Sequence, residues 1–329
     1  MVVNLTTSEI DYEVAITETD LQWLGTLLVL PREGEVRIRK EYRQMTDKER
    51  EQFHKAVNLL KEDKNVTLNK FDILGNVHAR WSTAAAAHNG PGFLGWHRVF
   101  LLMMENALRQ KSENVTIPYW DTTLDAGMSK PYYSVIWSEQ FLGTGGGVVT
   151  KGPFKNWTTP HGLGKLRRMI YAQGKLMNHK DIKRIMKKRH LNDISFPNAN
   201  PKNNIEEIHN QAHQWVGGQM RKIEHSAYDP SFYVLHSFVD FLWEEFRNLQ
   251  KRDGVNPNMD YPKDYGIASH SPLAPMGLGK LVVMDGLSDI WLQGIQYSPR
   301  PQCNATHTDC GSRYLKCISS NGRCSLAVE

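Results

Sequence analysis

A chain of 329 residues, 40% hydrophobic and 23% charged, exceeds the roughly 100–200 residues of one ordinary domain and is long enough for one large core with a small appendage. That composition excludes the disordered and low-complexity classes. The formal net charge of +5 comes without any nucleic-acid-binding motif, and no apolar run is long enough to span a membrane, so neither a nucleic acid nor a membrane span is expected.

From the N-terminus, Met1 to Asp11 lacks the basic start and apolar stretch of a secretory leader, which reads as a mature or trimmed chain. Thr46-Asp47-Lys48-Glu49 has the form of a capping box, and Phe53, Ala56, Val57 and Leu60 follow at helical spacing, predicting a helix over about 46–62. After Pro91-Gly92, Phe100, Met104, Ala107 and Leu108 form one stripe of a helix from Trp96 to Arg109. Asp121 to Asn204, broken by Gly145-Gly146-Gly147 and several prolines, reads as long loops around one basic amphipathic helix between Lys175 and His190, whose charges form a solvated face. Two further helices are predicted, from Ile205 to Val216 and from His236 to Gln250; the stretch from Asp253 to Pro301 is irregular, with a strand-like Leu281 to Met284.

Cys303, Cys310, Cys317 and Cys324 recur every seven residues and predict a small disulfide module at 301–329, after a main domain at 1–300; three pairings are open. Five sequons begin at Asn4, Asn65, Asn114, Asn156 and Asn304, and with the cysteines they point to an oxidising, extracellular or luminal compartment.

Six of the thirteen histidines fall into two groups. His209 and His213 are four apart on a predicted helix, so both rings leave one face and can share a metal, with His236 at the start of the next helix. His78, His88 and His97 form the other group. Neutral imidazole suits zinc, copper, iron and nickel alike. A zinc protease needs Glu directly after the first histidine, and Asn210 stands there instead. Two all-histidine trios without a cysteine or carboxylate partner fit two neighbouring copper ions best.

Gly92-Phe93-Leu94-Gly95-Trp96-His97-Arg98 resembles the first copper signature of tyrosinases. His209 to Gly218 resembles the start of the second, completed by Asp229-Pro230-Ser231-Phe232-Tyr233-Val234-Leu235-His236 with Asp240 and Trp243. Ile117-Pro118-Tyr119-Trp120-Asp121 is similar to the stretch that the family carries between them, and Arg37 to Lys61 with the cysteine tail resembles invertebrate members.

The resemblance implies a mainly α fold, a four-helix bundle around a dinuclear type-3 copper centre, with His78, His88 and His97 on one copper and His209, His213 and His236 on the other. His54 is the substitute for His78, and His161, His179, His190, His225, His270 and His307 are left as structural or exposed. It also implies a secreted enzyme that uses dioxygen to hydroxylate phenols and oxidise o-diphenols to o-quinones. Glu206, or Glu207 in a shifted register, and Asn210 would hold the water that takes the phenol proton. Ile223 would sit at the substrate entrance, Phe232 and Phe93 would pack around the ligands, and Arg98 would pair with Asp240 behind them.

Three departures from the family pattern stand out: Leu235 where a histidine often precedes His236, Ala86 where many members carry a thioether-forming cysteine, and Gly95 for a proline, which would loosen the turn beside His97. The rival readings are a catechol oxidase without monophenol activity and a haemocyanin-like oxygen carrier. About 85 residues follow Trp243, fewer than a carrier's shielding domain occupies, and this favours an open enzyme site.

Overall fold

The computed structural model describes residues 15–318 and 322–327; the Asn4 sequon and Met1 to Asp11 lie outside them. Helix α1 (Glu18–Gly25) starts on a capping box between Thr17 and Asp20, and α2 (Asp47–Glu62) on the expected one, with Thr46 Oγ1 accepting from the Glu49 amide and Glu49 accepting from the Thr46 amide. Phe53, Ala56, Val57 and Leu60 are the buried face of α2.

The next helix, α3 (Lys70–Ala79), was not predicted. Every residue from Phe71 to His78 is buried, so no one-sided stripe marks it. Asn69 caps it by accepting from the Asp72 amide at 2.9 Å. Gly75 is required by close packing: a Cβ there would lie 2.4 Å from the Tyr228 ring. A single-turn α4 (Trp81–Ala84) and the loop to Gly92 follow, and α5 (Phe93–Arg109) is buried from Phe93 to Leu108. It begins three residues before Trp96 because its first turn is enclosed on all sides and the Phe93 amide donates to the Gly90 carbonyl. Gly95 lies inside this helix, where a Cβ would come within 2.9 Å of the Gly286 backbone. The expected loosened turn is corrected to a close helix–loop approach.

Short α6 (Thr122–Ala126) and α7 (His179–Ile185) lie in the long loops; α7 is shorter than the basic run, with Ile182 and Ile185 buried and Lys180 and Lys183 exposed as expected. Helix α8 (Ile205–Val216) has the predicted bounds, capped by Asn204 and stopped by Gly217 at φ 69°. One turn of α9 (Ile223–Ser226) leads to α10 (Ser231–Arg252). His236 is therefore in the second turn of α10 rather than at its start, because Asp229 accepts from the Ser231 amide at 2.8 Å and sets the beginning five residues earlier.

Strands are short and pair in twos: β1 (Arg37–Arg39) parallel to β6 (Ile295–Tyr297), and, antiparallel, β2 (Gly146–Val148) to β5 (Arg167–Met169), β3 (Thr158–Thr159) to β4 (Gly164–Lys165), and β7 (Leu315–Ile318) to β8 (Arg323–Leu326). Leu281 to Met284 is not a strand. Val282 makes one bridge to Pro275, and the chain then turns into a 3-10 helix over Val283–Leu287 that brings Gly286 against Gly95.

The fold is mainly helical. Helix α5 packs on α10, α8 on α10, and α2 against both α3 and α5. The helices that carry the clustered histidines are α3, α5, α8 and α10, so the predicted 46–62 helix supports this group from outside rather than forming part of it. The tail is held by Cys303–Cys317 and Cys310–Cys324, an interlaced pairing, and packs Leu315 and Leu326 against Leu124 and Met128 of the main body.

Candidate metal centre

All four helices with clustered histidines supply ring nitrogens: α3 gives His78, α5 gives His97, and α8 gives His209 and His213 one turn apart. His236 comes from α10, and His88 comes from the loop before α5. Within each trio, His78/His88/His97 and His209/His213/His236, one nitrogen from each ring lies within 4.8 Å of the others. His78 Nε2 is 3.0 Å from His88 Nε2, and His236 Nε2 is 2.9 Å from His209 Nε2 and 3.3 Å from His213 Nε2. The trios adjoin, since the His97 and His236 rings stack with centroids 4.2 Å apart.

Backbone carbonyls fix the tautomers. Nδ1–H of His97 donates to Phe93 O at 2.9 Å, and Nδ1–H of His213 donates to Met220 O at 2.9 Å. Their Nε2 lone pairs are thereby left for a cation, and His97 Nε2 and His236 Nδ1 are buried without a hydrogen-bond partner. Burial drives the His88 and His213 imidazoles down to about 3 and about 4, and holds the other four well below the ordinary range. Six neutral imidazoles whose ring nitrogens converge in two groups suit two metal ions. They have no comparable stabilising partner in one another.

The surroundings set these rings in place. Phe232 stacks on His236 at 4.0 Å and meets His78 at 4.7 Å; Phe93 lies 4.7 Å from His97 and 5.1 Å from His209. Both phenylalanines are at most 2% exposed. Arg98 Nε donates to Asp240 Oδ1 at 2.6 Å, joining the residue after His97 to the residue one turn beyond His236. Arg39 of β1 adds to this group, 3.4 Å from Asp240 and 2.9 Å from Glu105.

The His88 loop has two holds that lie far away in sequence. Glu206 Oε1 accepts from the Asn89 amide at 2.6 Å, while its other oxygen is buried without a hydrogen-bond partner among the described residues, and burial pushes the carboxyl up to about 8. His270 donates from Nε2 to the His88 carbonyl at 2.7 Å and accepts at Nδ1 from the Gly92 amide at 3.2 Å. Sequence reasoning missed this role of His270; the only local signal is the pair Gly90 and Gly92, where a Cβ would meet the His270 ring within 2.9 Å. His54 is elsewhere, bonded to the Tyr42 hydroxyl at 2.5 Å and packed on Phe154.

A cavity of about 230 Å³ opens beside the trios, walled by His78, His88, His209, His213, Asn210 and Ile223. Ile223 is 47% exposed, at the mouth. Phe93, Phe232 and Glu206 are not part of this wall.

Residues 68–249 match the family model of the common central domain of tyrosinase. The chain belongs to the tyrosinase family. It is 35% identical over 312 residues to a tyrosinase-like protein of Caenorhabditis elegans, covering 89% of this chain and 43% of that one. It is 32% identical over 305 residues to tyrosinase-like protein 2 of Margaritifera margaritifera, covering 86% and 66%. The chain thus spans less than two thirds of the length of these relatives.

Among solved structures, a polyphenol oxidase of Thermothelomyces thermophila superposes with a TM-score of 0.64 at 19% identity, over 85% of this chain and 97% of that one. A functional unit of octopus haemocyanin gives 0.62 at 22% identity, over 80% and 68%. The tyrosinase fold is shared by both. A dinuclear type-3 copper centre is the cofactor of this family, and the two histidine trios fit it by donor type, tautomer and spacing.

Proposed function

We propose that this tyrosinase-family chain oxidises phenols with dioxygen at a copper pair, hydroxylating monophenols and converting o-diphenols to o-quinones. The observation that carries the reading is the cavity whose wall is made of four of the six clustered histidines and which reaches solvent at Ile223. Its volume is below the roughly 300–1,000 Å³ of pockets for drug-sized ligands, which suits a single aromatic ring.

His78, His88 and His97 hold one copper and His209, His213 and His236 the other. When bound, copper supplies the redox chemistry that moves electrons between the aromatic ring and dioxygen. The balance for a monophenol is phenol plus dioxygen to o-quinone plus water, and for a diphenol two catechols plus dioxygen to two o-quinones plus two waters. Asn210, on the cavity wall, and the unpartnered oxygen of Glu206 orient a water that accepts the phenol proton. Ile223 shapes the mouth, while Phe93 and Phe232 act on substrate through the histidine planes they support. The two disulfides and the exposed sequon asparagines Asn65, Asn114, Asn156 and Asn304 support function in an oxidising, extracellular compartment.

The test is metal analysis of the copper-reconstituted chain followed by oxygen uptake with a monophenol and with a catechol. Two coppers per chain and uptake with both are expected. Uptake with the catechol alone would leave a catechol oxidase, two coppers without uptake an oxygen carrier, and failure to bind copper would overturn the reading.

A further inference from the structure

Beside the histidine cavity lies a second and larger one of about 590 Å³, and Gln214 and Arg221 belong to the walls of both. The second cavity is lined by Arg167 on β5, by Arg221, and by Lys222 and His225, the last on α9. Among the described residues, no aspartate or glutamate lines either cavity. Glu224, the nearest carboxylate along the chain, is absent from both walls.

Among the described residues, no carboxylate pairs with the cations of this cavity. Arg221 is exposed and spends its donors on neutral partners, Nη2 to Gln173 Oε1 at 2.8 Å and Nε to Gln214 Oε1 at 3.4 Å. Among the described residues, Arg167, Arg221 and Lys222 enter no ion pair, whereas neighbouring Arg168 is fully buried and bound on two sides by Asp229 at 2.8 Å. Three exposed, unpaired cations around one concavity are what an anion of a ligand requires, and an arginine held by two amides is already oriented to receive it.

Resting on the phenol-oxidising reading, we propose that Arg167, Arg221 and Lys222 form a subsite for an anionic tail. The preferred substrates are then phenols that carry a carboxylate on the side chain opposite the hydroxyl. The ring enters the histidine cavity past Ile223 while the tail turns across Arg221 into the basic cavity. Phenols with a neutral or amine-bearing tail lose this contact, and the amine is repelled.

The experiment compares 3-(4-hydroxyphenyl)propionate with its amide and with tyramine, on the copper-loaded chain and on the Arg221→Gln/Lys222→Gln double variant, with copper content and melting temperature as controls for folding. The wild-type chain is expected to favour the acid over the amide in kcat/KM by about five- to twentyfold at low salt, chiefly through KM, with the preference shrinking as salt rises. In the double variant the acid-to-amide ratio should approach one. Calorimetric binding of 3-phenylpropionate, which has no hydroxyl to react, should weaken by a similar factor in the variant. An acid-to-amide ratio near one in the wild type, or one that the double substitution leaves unchanged, would overturn the subsite. If neither phenol nor catechol is oxidised at all, the enzyme reading fails, and the 3-phenylpropionate titration alone then decides for or against the anion subsite.

Discussion

His270 holds the loop that carries His88 at both of its ends, through the His88 carbonyl and the Gly92 amide. Removing the ring leaves a buried donor and a buried acceptor unmet, at about 1–3 kcal/mol each, and frees the one clustered histidine that no helix positions. His270→Ala should therefore lower copper content from two toward one per chain after dialysis against a chelator. His270→Gln, whose amide both donates and accepts, should retain more. Equal copper in wild type and His270→Ala would remove the positioning role. Nothing near position 270 marks it in sequence, because its partners lie about 180 residues away.

At the scale of elements, Asp240 ties three segments together: α5 through Arg98, β1 through Arg39, and β6 through the Tyr297 hydroxyl, which donates to Oδ2 at 2.6 Å. Arg98 also lies 4.1 Å over the Trp243 ring, so its guanidinium is enclosed by α10. Asp240→Ala leaves two buried guanidiniums short of a carboxylate, and breaking such a pair from one side costs about 3–5 kcal/mol. Chemical denaturation of the variant should show a loss of that size, and a loss below about 1 kcal/mol would mean that Glu105 on Arg39 and Glu244, 3.0 Å from Arg98 Nη1, suffice. The pairing of Arg98 with Asp240 was legible from their places beside His97 and His236. The entry of Arg39 was not, since a three-residue strand carries no spacing that announces its neighbour.

For the whole molecule, six imidazoles held below their ordinary range fix the sign of the pH response without copper. Below about 6.5 the unfolded chain takes up protons that the native chain refuses, so stability falls as pH drops toward about 4 to 3, at up to about 1.4 kcal/mol per pH unit for each histidine. Glu206 acts in the opposite sense. Its folded value of about 8 lies above the unfolded one, so the native chain keeps a proton that the unfolded chain has lost, and stability declines as pH rises toward 8. The copper-free protein should thus have its highest melting temperature near pH 6.5, with the steeper loss on the acid side. Copper should raise the melting temperature at neutral pH and be released on acidification, because ligation and protonation compete for the same nitrogens. A copper-free melting temperature unchanged between pH 7 and pH 5 would contradict the buried, neutral state of the trios.

By itself the sequence determined those features whose cause is local. The capping box at Thr46, the stop at Gly217, and the i, i+4 placement of His209 and His213 all follow from the geometry of one helix turn. The family resemblance of the segments around His97, His209 and His236 then brought the two trios to one centre. Tertiary structure decided what has no local period. Helix α3 is enclosed on every side and shows no stripe, the cysteine pairing joins residues fourteen apart where three pairings were open, and His270, Arg39 and the basic cavity combine residues from distant segments. A hydrophobic period exists only where one side of an element faces water, so the most deeply buried parts of the site are the ones that the chain announces least.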